Sequence, residues 1–333
     1  MIALRTLFLI GLCSASANLS AELTVNPSAK GALVKIDDQV FAEYVAADEE
    51  TNMPYLWPIY GPGQKAMTRA YPMQMIEGEQ HDHPHHRGLC FGHEDIAGYD
   101  TWAEKATFEE QLKGKNAIKA KERIKLLGRI QHRKFEKLEV AKGSAIIVAL
   151  SDYLDASGKK LLEERRTMIF SVDGDNRLID VDIELIASEG AVQVADKKDA
   201  GLSIRVPTSM AVDSKLGGRL INSDGDTDAN TWAKRAKWCD YHGPVEGIHL
   251  GIAMLNHPSS FRFPTYWHSR TYGLFTANPF GTKSLNPEET DGSYSLMPGS
   301  PTRLFHRFIF HFGDEKAANI ESAWQAYSKI SKP

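Results

Sequence analysis

Five of the chain's twelve histidines fall between positions 81 and 93, in the run His81-Asp82-His83-Pro84-His85-His86-Arg87-Gly88-Leu89-Cys90-Phe91-Gly92-His93, with Glu94 directly after. Imidazole changes charge near neutral pH and, when neutral, ligates metals, so a convergent group of histidines suits proton transfer or coordination. In an extended segment His81, His83 and His85 project to one side and Asp82 and His86 to the other. Pro84 and Gly88 are the places where the chain can bend and bring His86 and Arg87 round to the first three. On this reading His85 and His86 are candidate acids and Glu94 a candidate base, while Arg87 stabilises developing negative charge. A metal-assisted version uses His83, His85 and His93 as ligands of a divalent cation, although the spacing matches no standard zinc signature. The bland alternative is a solvated polar loop, or histidines that only bond buried backbone. Against it, Leu89, Cys90 and Phe91 carry the segment into a core strand.

Two further stretches mix indole rings with cations and hydrogen-bonding groups. One runs from Trp232 to Gly243 and holds Lys234, Trp238, Asp240 and Tyr241; the other runs from His257 to Gly281 and holds Trp267, His268, Arg270, Tyr272 and Asn278. Aromatic faces stack on the apolar faces of sugar rings, while Lys, Arg, Asp and Asn bond hydroxyls or pair with a carboxylate. Asp240 is a second candidate base, His268 a further catalytic candidate, and Lys234, Trp238, Tyr241, Trp267, Arg270, Tyr272 and Asn278 candidate substrate contacts. Taken one at a time, such tryptophans more often belong to a core. The functional expectation is that all three stretches converge on one pocket, with His83, His85, His86 and Arg87 facing Asp240, His268 and Arg270. Two functions then compete: an enzyme acting on a sugar-like small molecule as epimerase, lyase or hydrolase, and a non-catalytic sugar-binding module.

The elements that must position these residues read as strands. From residue 21 to about 188 apolar residues alternate with polar ones between turn signals, most clearly at Ile179, Val181, Ile183 and Leu185, which interleave with Asp180, Asp182 and Glu184. The preceding run through Met168 and Phe170 returns at Asp173-Gly174-Asp175-Asn176, a hairpin. Residues 303–312 alternate with aromatics on one side, and Ile320, Trp324, Tyr327 and Ile330 fall at helical spacing, which predicts a closing helix over 315–330. The Lys- and Glu-rich stretch 100–123 is open between a short helix and a solvated excursion. The Asp-rich stretch 213–228 reads as a loop of Asx turns, because the downstream glutamate of a calcium-binding EF-hand is missing. The predicted fold is all-β and mainly antiparallel, a large sandwich or supersandwich with a C-terminal helix, in one domain over 18–333.

The first 17 residues combine Arg5, a short apolar run and small residues at Ala15 and Ala17, which predicts a cleaved signal peptide and a periplasmic or secreted product. No apolar stretch of the remaining sequence is long enough for a membrane span. A net charge of -4 with 25% charged residues argues against nucleic acid as a partner. Beyond the signal only Cys90 and Cys239 remain, too few for a disulfide framework; two separate buried thiols are expected over a pair.

The motifs Tyr71-Pro72-Met73, Asp82-His83-Pro84-His85-His86-Arg87-Gly88, Trp238-Cys239-Asp240-Tyr241, Asn256-His257-Pro258, and Trp267-His268 through Asn278-Pro279-Phe280-Gly281 resemble the bacterial family labelled PmoA, or methane-oxygenase-like, a domain of unknown function. The resemblance covers nearly all of the chain after the signal. The methane label sits poorly with it, because membrane-helix bundles need long apolar runs that this sequence lacks. More remotely, a His-Pro-His element entering a strand is similar to galactose-mutarotase-like supersandwich proteins. That similarity implies a His acid on the ring oxygen and a carboxylate base on the anomeric hydroxyl. The stretch Asp199-Ala200-Gly201-Leu202 lies where similar proteins carry a Glu- and Gly-rich segment, and no base is assigned there.

Overall fold

The computed structural model describes residues 21–333, so the expected signal peptide over 1–17 lies outside the described residues. Two eight-stranded antiparallel sheets face each other as a sandwich. The first sheet orders the strands Leu23–Pro27, Gly31–Ile36, Gln39–Val45, Tyr55–Ile59, Leu89–His93, Ala200–Arg205, Leu274–Asn278 and Tyr266–Ser269. The second orders Arg219–Asn222, Trp238–Val245, Ile248–Asn256, Thr302–Phe312, Asn176–Ile186, Lys160–Asp173, Ser144–Leu154 and Arg129–Ala141. Residues from both sheets fill one apolar core, including Phe91, Leu202, Trp267 and Phe275 from the first and Cys239, Tyr241, Phe308 and Phe310 from the second.

The alternation read from the sequence has this physical basis. Ile179, Val181, Ile183 and Leu185 point into the core. Asp180 and Asp182 point the other way, yet they are not left to water: Arg307 grips Asp180 through two bonds of 2.6 and 2.9 Å, and Lys332 reaches Asp182 at 2.8 Å. The hairpin closes where expected, with Asp173 opposite Asn176 and Gly174 at φ +57°. The C-terminal helix is shorter than its apolar spacing suggests, Ile320–Tyr327. The Asp314 carboxylate accepts the N–H groups of Lys316 and Ala317, and Asn319 adopts a left-handed φ of 52°, so the chain turns before it can wind. Ile320 and Tyr327 then seal against Trp238, Ala253, Leu255 and Ile309 on the outer face of the second sheet.

Stretch 100–123 is helical in short pieces, Lys105–Phe108, Glu109–Leu112 and the start of Ala117–Lys125, pinned by a small cluster of Ala103, Phe108 and Ala120. The Asp-rich stretch holds the expected Asx turn, in which Asn222 Oδ1 accepts the N–H groups of Asp224 and Asp226, but it is not all loop: Arg219–Asn222 pairs with Trp238–Val245 as the edge strand of the second sheet. Cys90 and Cys239 are free, buried and in different sheets.

One glycine decides the geometry next to the site. Gly201 sits at φ +114°, and a Cβ there would lie 2.1 Å from the Ala277 carbonyl oxygen of the neighbouring strand. Gly201→Ala is therefore expected to cost about 3 kcal/mol or more, from strain plus forced separation of two central strands. Chemical denaturation checks this; a change below about 1 kcal/mol would contradict the strand packing described.

Candidate active site

Strand alternation decides which residues of the histidine-rich and tryptophan-rich stretches can reach one face of the first sheet. Cys90, Ser203, Thr276 and His268 are cross-strand partners in one row, and residues directly opposite each other share a face. Their sequence neighbours Phe91, Leu202, Ala277 and Trp267 enter the core, so this row looks outward. Above it lies a cavity of about 230 Å³. The loop before Leu89–His93 brings His83, His85 and His86 to its wall; the far wall carries Asp199, His268, Arg270 and Tyr272; and Trp102, Thr107 and Arg123 from the helical excursion roof it.

Two arginines missing from the sequence reading hold the histidine loop in place. Arg69, fully buried, donates to the carbonyls of Gln80, Asp82 and His83 and to the Asp82 carboxylate. Arg205 reaches the same carboxylate at 2.7 Å and Gln80 Oε1 at 2.8 Å. Burial opposes ionisation of Asp82, but the His83 bond and the charges of Arg205 and Arg69 hold its pKa well below the usual carboxylate range. Arg69→Met is expected to lower stability by about 3 kcal/mol, because it removes the buried donor shared by three loop carbonyls and one of the two arginines that pair with Asp82. Amide exchange should accelerate across 80–86. Unchanged protection in that segment would show that the arginine is not its anchor.

The hydrogen bonds fix most of the ring protons. Arg205 can only donate, so His86 Nδ1, 3.2 Å from its Nη1, is an acceptor and the proton sits on Nε2. His83 Nδ1 donates to Asp82 Oδ2 at 2.8 Å, leaving Nε2 free. His268 Nδ1 donates to the Lys198 carbonyl at 2.7 Å, and its Nε2 accepts from Arg270 Nε at 3.2 Å. Asp199 also lies 3.5 Å from His268 Nδ1, but the shorter carbonyl contact is the hydrogen bond and the carboxylate acts there as a neighbouring charge. His85 Nδ1 lies 3.0 Å from the Thr107 hydroxyl. Burial pushes His85 down to about 3, with His83 adding to the effect, pushes His268 down to about 4 against the pull of Asp199, and holds His86 well below its ordinary value. These three rings are neutral hydrogen-bonding groups at pH 7. His83, His86 and Tyr272 lie nearly parallel, with His83 4.8 Å from His86 and 5.1 Å from Tyr272, and the Arg205 guanidinium stands 4.6 Å from the Tyr272 ring.

The expected convergence is therefore met by part of the predicted set. His83, His85, His86, His268, Arg270 and Tyr272 share the cavity. Asp240 does not: Cys239 and Tyr241 on either side of it face the core, so Asp240 faces outward from the second sheet, where His311 Nε2 donates to it at 2.7 Å. Trp238 shares that side and donates from its indole to Glu321 of the C-terminal helix. Tyr241 and Trp267 are core residues; Tyr241 donates to the Thr271 carbonyl and Trp267 to the Ala236 carbonyl. Lys234 is exposed, and its contribution is a backbone carbonyl bonded to Trp267 N–H. Arg87 turns away into a buried pair with Glu104, two bonds of 3.1 Å each. Glu94 lies in a smaller adjoining cavity, 3.3 Å from Arg123; burial and the charge of Asp199 raise its pKa, with Arg123 opposing. His93 shares the core-facing parity of Phe91 and sits edge-on to Phe280, its Nδ1 accepting the Asp95 N–H, so it cannot complete a metal shell with His83 and His85. Asn278 is a brace: its amide donates to the carbonyls of Lys197 and Lys198 and so sets the segment that presents Asp199.

Asp199 is the carboxylate that sequence reasoning left unassigned. The signal for it was positional, one residue before a central strand and in line with the stretch that the supersandwich resemblance had singled out. Trp102, Thr107 and Arg123 gave no signal, because their stretch shows no periodicity that aims it at the histidines.

The chain belongs to a family of unknown function, DUF6807, whose model matches residues 32–325. That description assigns no activity, and the methane-oxygenase label is not part of it. No curated protein matches the sequence. Among solved structures, the chain is similar to an alpha-galactosidase from Lactobacillus brevis at 8% identity and TM-score 0.42, over 90% of this chain and 41% of that one. It is similar to a galactose mutarotase related enzyme from Lactobacillus acidophilus at 10% identity and TM-score 0.35, over 87% and 97%. It is also similar to the Slr1438 protein from Synechocystis sp. PCC 6803 at 12% identity and TM-score 0.33, over 88% and 93%. The chain thus spans about two fifths of the galactosidase's length.

Proposed function

From membership in a family without an assigned activity, we propose that this protein is an exported carbohydrate-active enzyme, of epimerase, lyase or hydrolase type, working in the His83–Asp199 cavity of one β-sandwich domain. The observation that carries the reading is the meeting, in one small cavity, of a carboxylate, three loop histidines with defined bonding and the cations Arg270 and Lys198. A cavity of about 230 Å³ suits a single sugar ring. Asp199 serves as base and removes a proton from the substrate. The His83–Asp82 pair carries a proton through the free Nε2, as an imidazole oriented by a carboxylate does. His86 Nε2–H, Arg270 and Lys198 face the oxygen on which negative charge develops. His268, bonded at both nitrogens, positions Arg270, whose guanidinium stacks 3.7 Å from the Trp232 ring centre. Tyr272, one of the aromatics expected from the sequence, and Trp102 provide the aromatic walls in place of Trp238 and Trp267.

The test is a panel of monosaccharides, uronates and simple glycosides followed by NMR for product, with wild type and His83→Ala side by side. Turnover of at least one sugar-class compound, lost in His83→Ala, is expected. Saturable binding with no product would replace the enzyme by the sugar-binding module, and neither binding nor turnover would remove the sugar reading.

A further inference from the structure

A second group of metal-ligating side chains lies on the outer face of the other sheet, and the chemistry above makes no use of it. Asp240 and His242 are two apart on the strand Trp238–Val245 and so project to the same side. Glu315 comes to them from the segment between the last strand and the C-terminal helix. One ligand atom from each lies within 4.8 Å of the others, with Asp240 fully buried and His242 8% exposed. The partners around them are already arranged. His311 Nε2 donates to Asp240 Oδ2, which leaves Oδ1 buried with no hydrogen-bond partner. His242 Nδ1 lies 2.8 Å from His249 Nε2, while its Nε2 faces Glu315 Oε2 at 3.5 Å. The ring of His311 fits only because Gly251 stands opposite it: a Cβ there would lie 2.2 Å from His311 Cε1. Among the described residues, the salt-bridge partners of Asp240 and Glu315 are histidines, with no lysine or arginine.

We propose that Asp240, His242 and Glu315 form a site for a divalent transition-metal cation, with Zn²⁺ the representative ion, that clamps the C-terminal segment onto the second sheet. A buried carboxylate oxygen without a donor is costly, and a cation is the group that would satisfy it. One imidazole nitrogen with two carboxylates is a nitrogen–oxygen donor set that suits a metal of this class, and His249 and His311 stand where outer partners orient such ligands. The metal here would be structural, since Glu315 belongs to the segment that leads into Ile320–Tyr327 and the site faces away from the His83–Asp199 cavity.

The experiment strips the purified full chain with a chelator, removes the chelator, and titrates ZnSO₄ while following melting temperature and bound zinc. With free zinc at about one hundred times its Kd, a rise of roughly 5 °C is expected, with one zinc retained per chain. Glu315→Gln should abolish the rise, and His83→Ala, in the other cluster, should keep it. If Glu315→Gln folds poorly, His249→Ala at an exposed position serves instead and should weaken zinc binding roughly tenfold. No rise in wild type, a rise of wild-type size in Glu315→Gln or, where that variant folds poorly, in His249→Ala, which should show about half of it, or a rise lost in His83→Ala would each overturn the assignment.

Discussion

Asp199→Asn should lower kcat on a turned-over sugar by about 10² to 10⁴ while the melting temperature moves by no more than a few degrees. The size follows from removing a positioned base, since general acid–base groups contribute about that much. The stability expectation follows from what the side chain does at rest. Its carboxylate is 25% exposed and pairs with the half-exposed Lys198 at 3.1 Å, a contact worth little in water. The backbone carbonyl that accepts Glu94 N–H is untouched by the change. KM should change less than kcat, because the amide keeps the shape of the cavity. Wild-type kcat in Asp199→Asn would leave the cavity without the base that the proposed chemistry requires, whereas equal losses in kcat and melting temperature would mark Asp199 as structural.

The second large effect is loss of stability in mild acid. Burial pushes His85, His93 and His306 down to about 3 and His268 down to about 4, below the ordinary histidine value near 6.5 that they regain on unfolding. Between those limits the unfolded chain binds protons that the folded chain does not, so stability is complete above about pH 6.5 and drains away as the pH falls. At pH 5 each such group costs about 2 kcal/mol, and four together reach the scale of a typical domain's whole stability. His311 works in the opposite sense: burial resists its protonation, but Asp240 beside it raises its pKa, and it offsets part of the loss. A melting-temperature drop of more than about 10 °C between pH 7 and pH 5 is expected by calorimetry. A flat profile over that range would mean that these rings are protonated, or solvated, in the folded protein.

The all-β fold was legible because strand alternation is a local property. Ile179 to Leu185 announce a core face wherever their sheet lies, and the Gly174 turn announces its hairpin. The same parity, applied one residue at a time, would also have separated His268 from Trp267 and Asp240 from Tyr241, since neighbours on a strand cannot share a face. What it cannot supply is which face of which sheet carries a site, and that is why Asp240, Trp238 and His93 looked equivalent to residues that do line the cavity. His83, His85 and His86 stood out because their density is itself unusual. Arg69 and Arg205, which hold them, did not, because a lone arginine in a connecting segment or at the end of a strand reads as surface until its carboxylate partner is found. The C-terminal helix was overrun for a related reason: apolar spacing from Ile320 onward continues past the residues that wind, while the Asp314 turn that delays its start depends on backbone bonds invisible to periodicity.

The central claim is that His83, His85, His86, His268 and Asp199 bound one sugar-sized site. The most direct measurement is a long-range nitrogen–proton NMR spectrum of the imidazoles, recorded at pH 7 during titration with the sugar that the panel selects. His86 is expected to appear as the neutral Nε2–H form and His268 as the neutral Nδ1–H form, as Arg205 and the Lys198 carbonyl dictate. His83, His85 and His86 should shift together on titration, while His93, His306 and His311 stay fixed. Shifts confined to histidines outside the cavity, or the reverse tautomers at His86 and His268, would contradict the account.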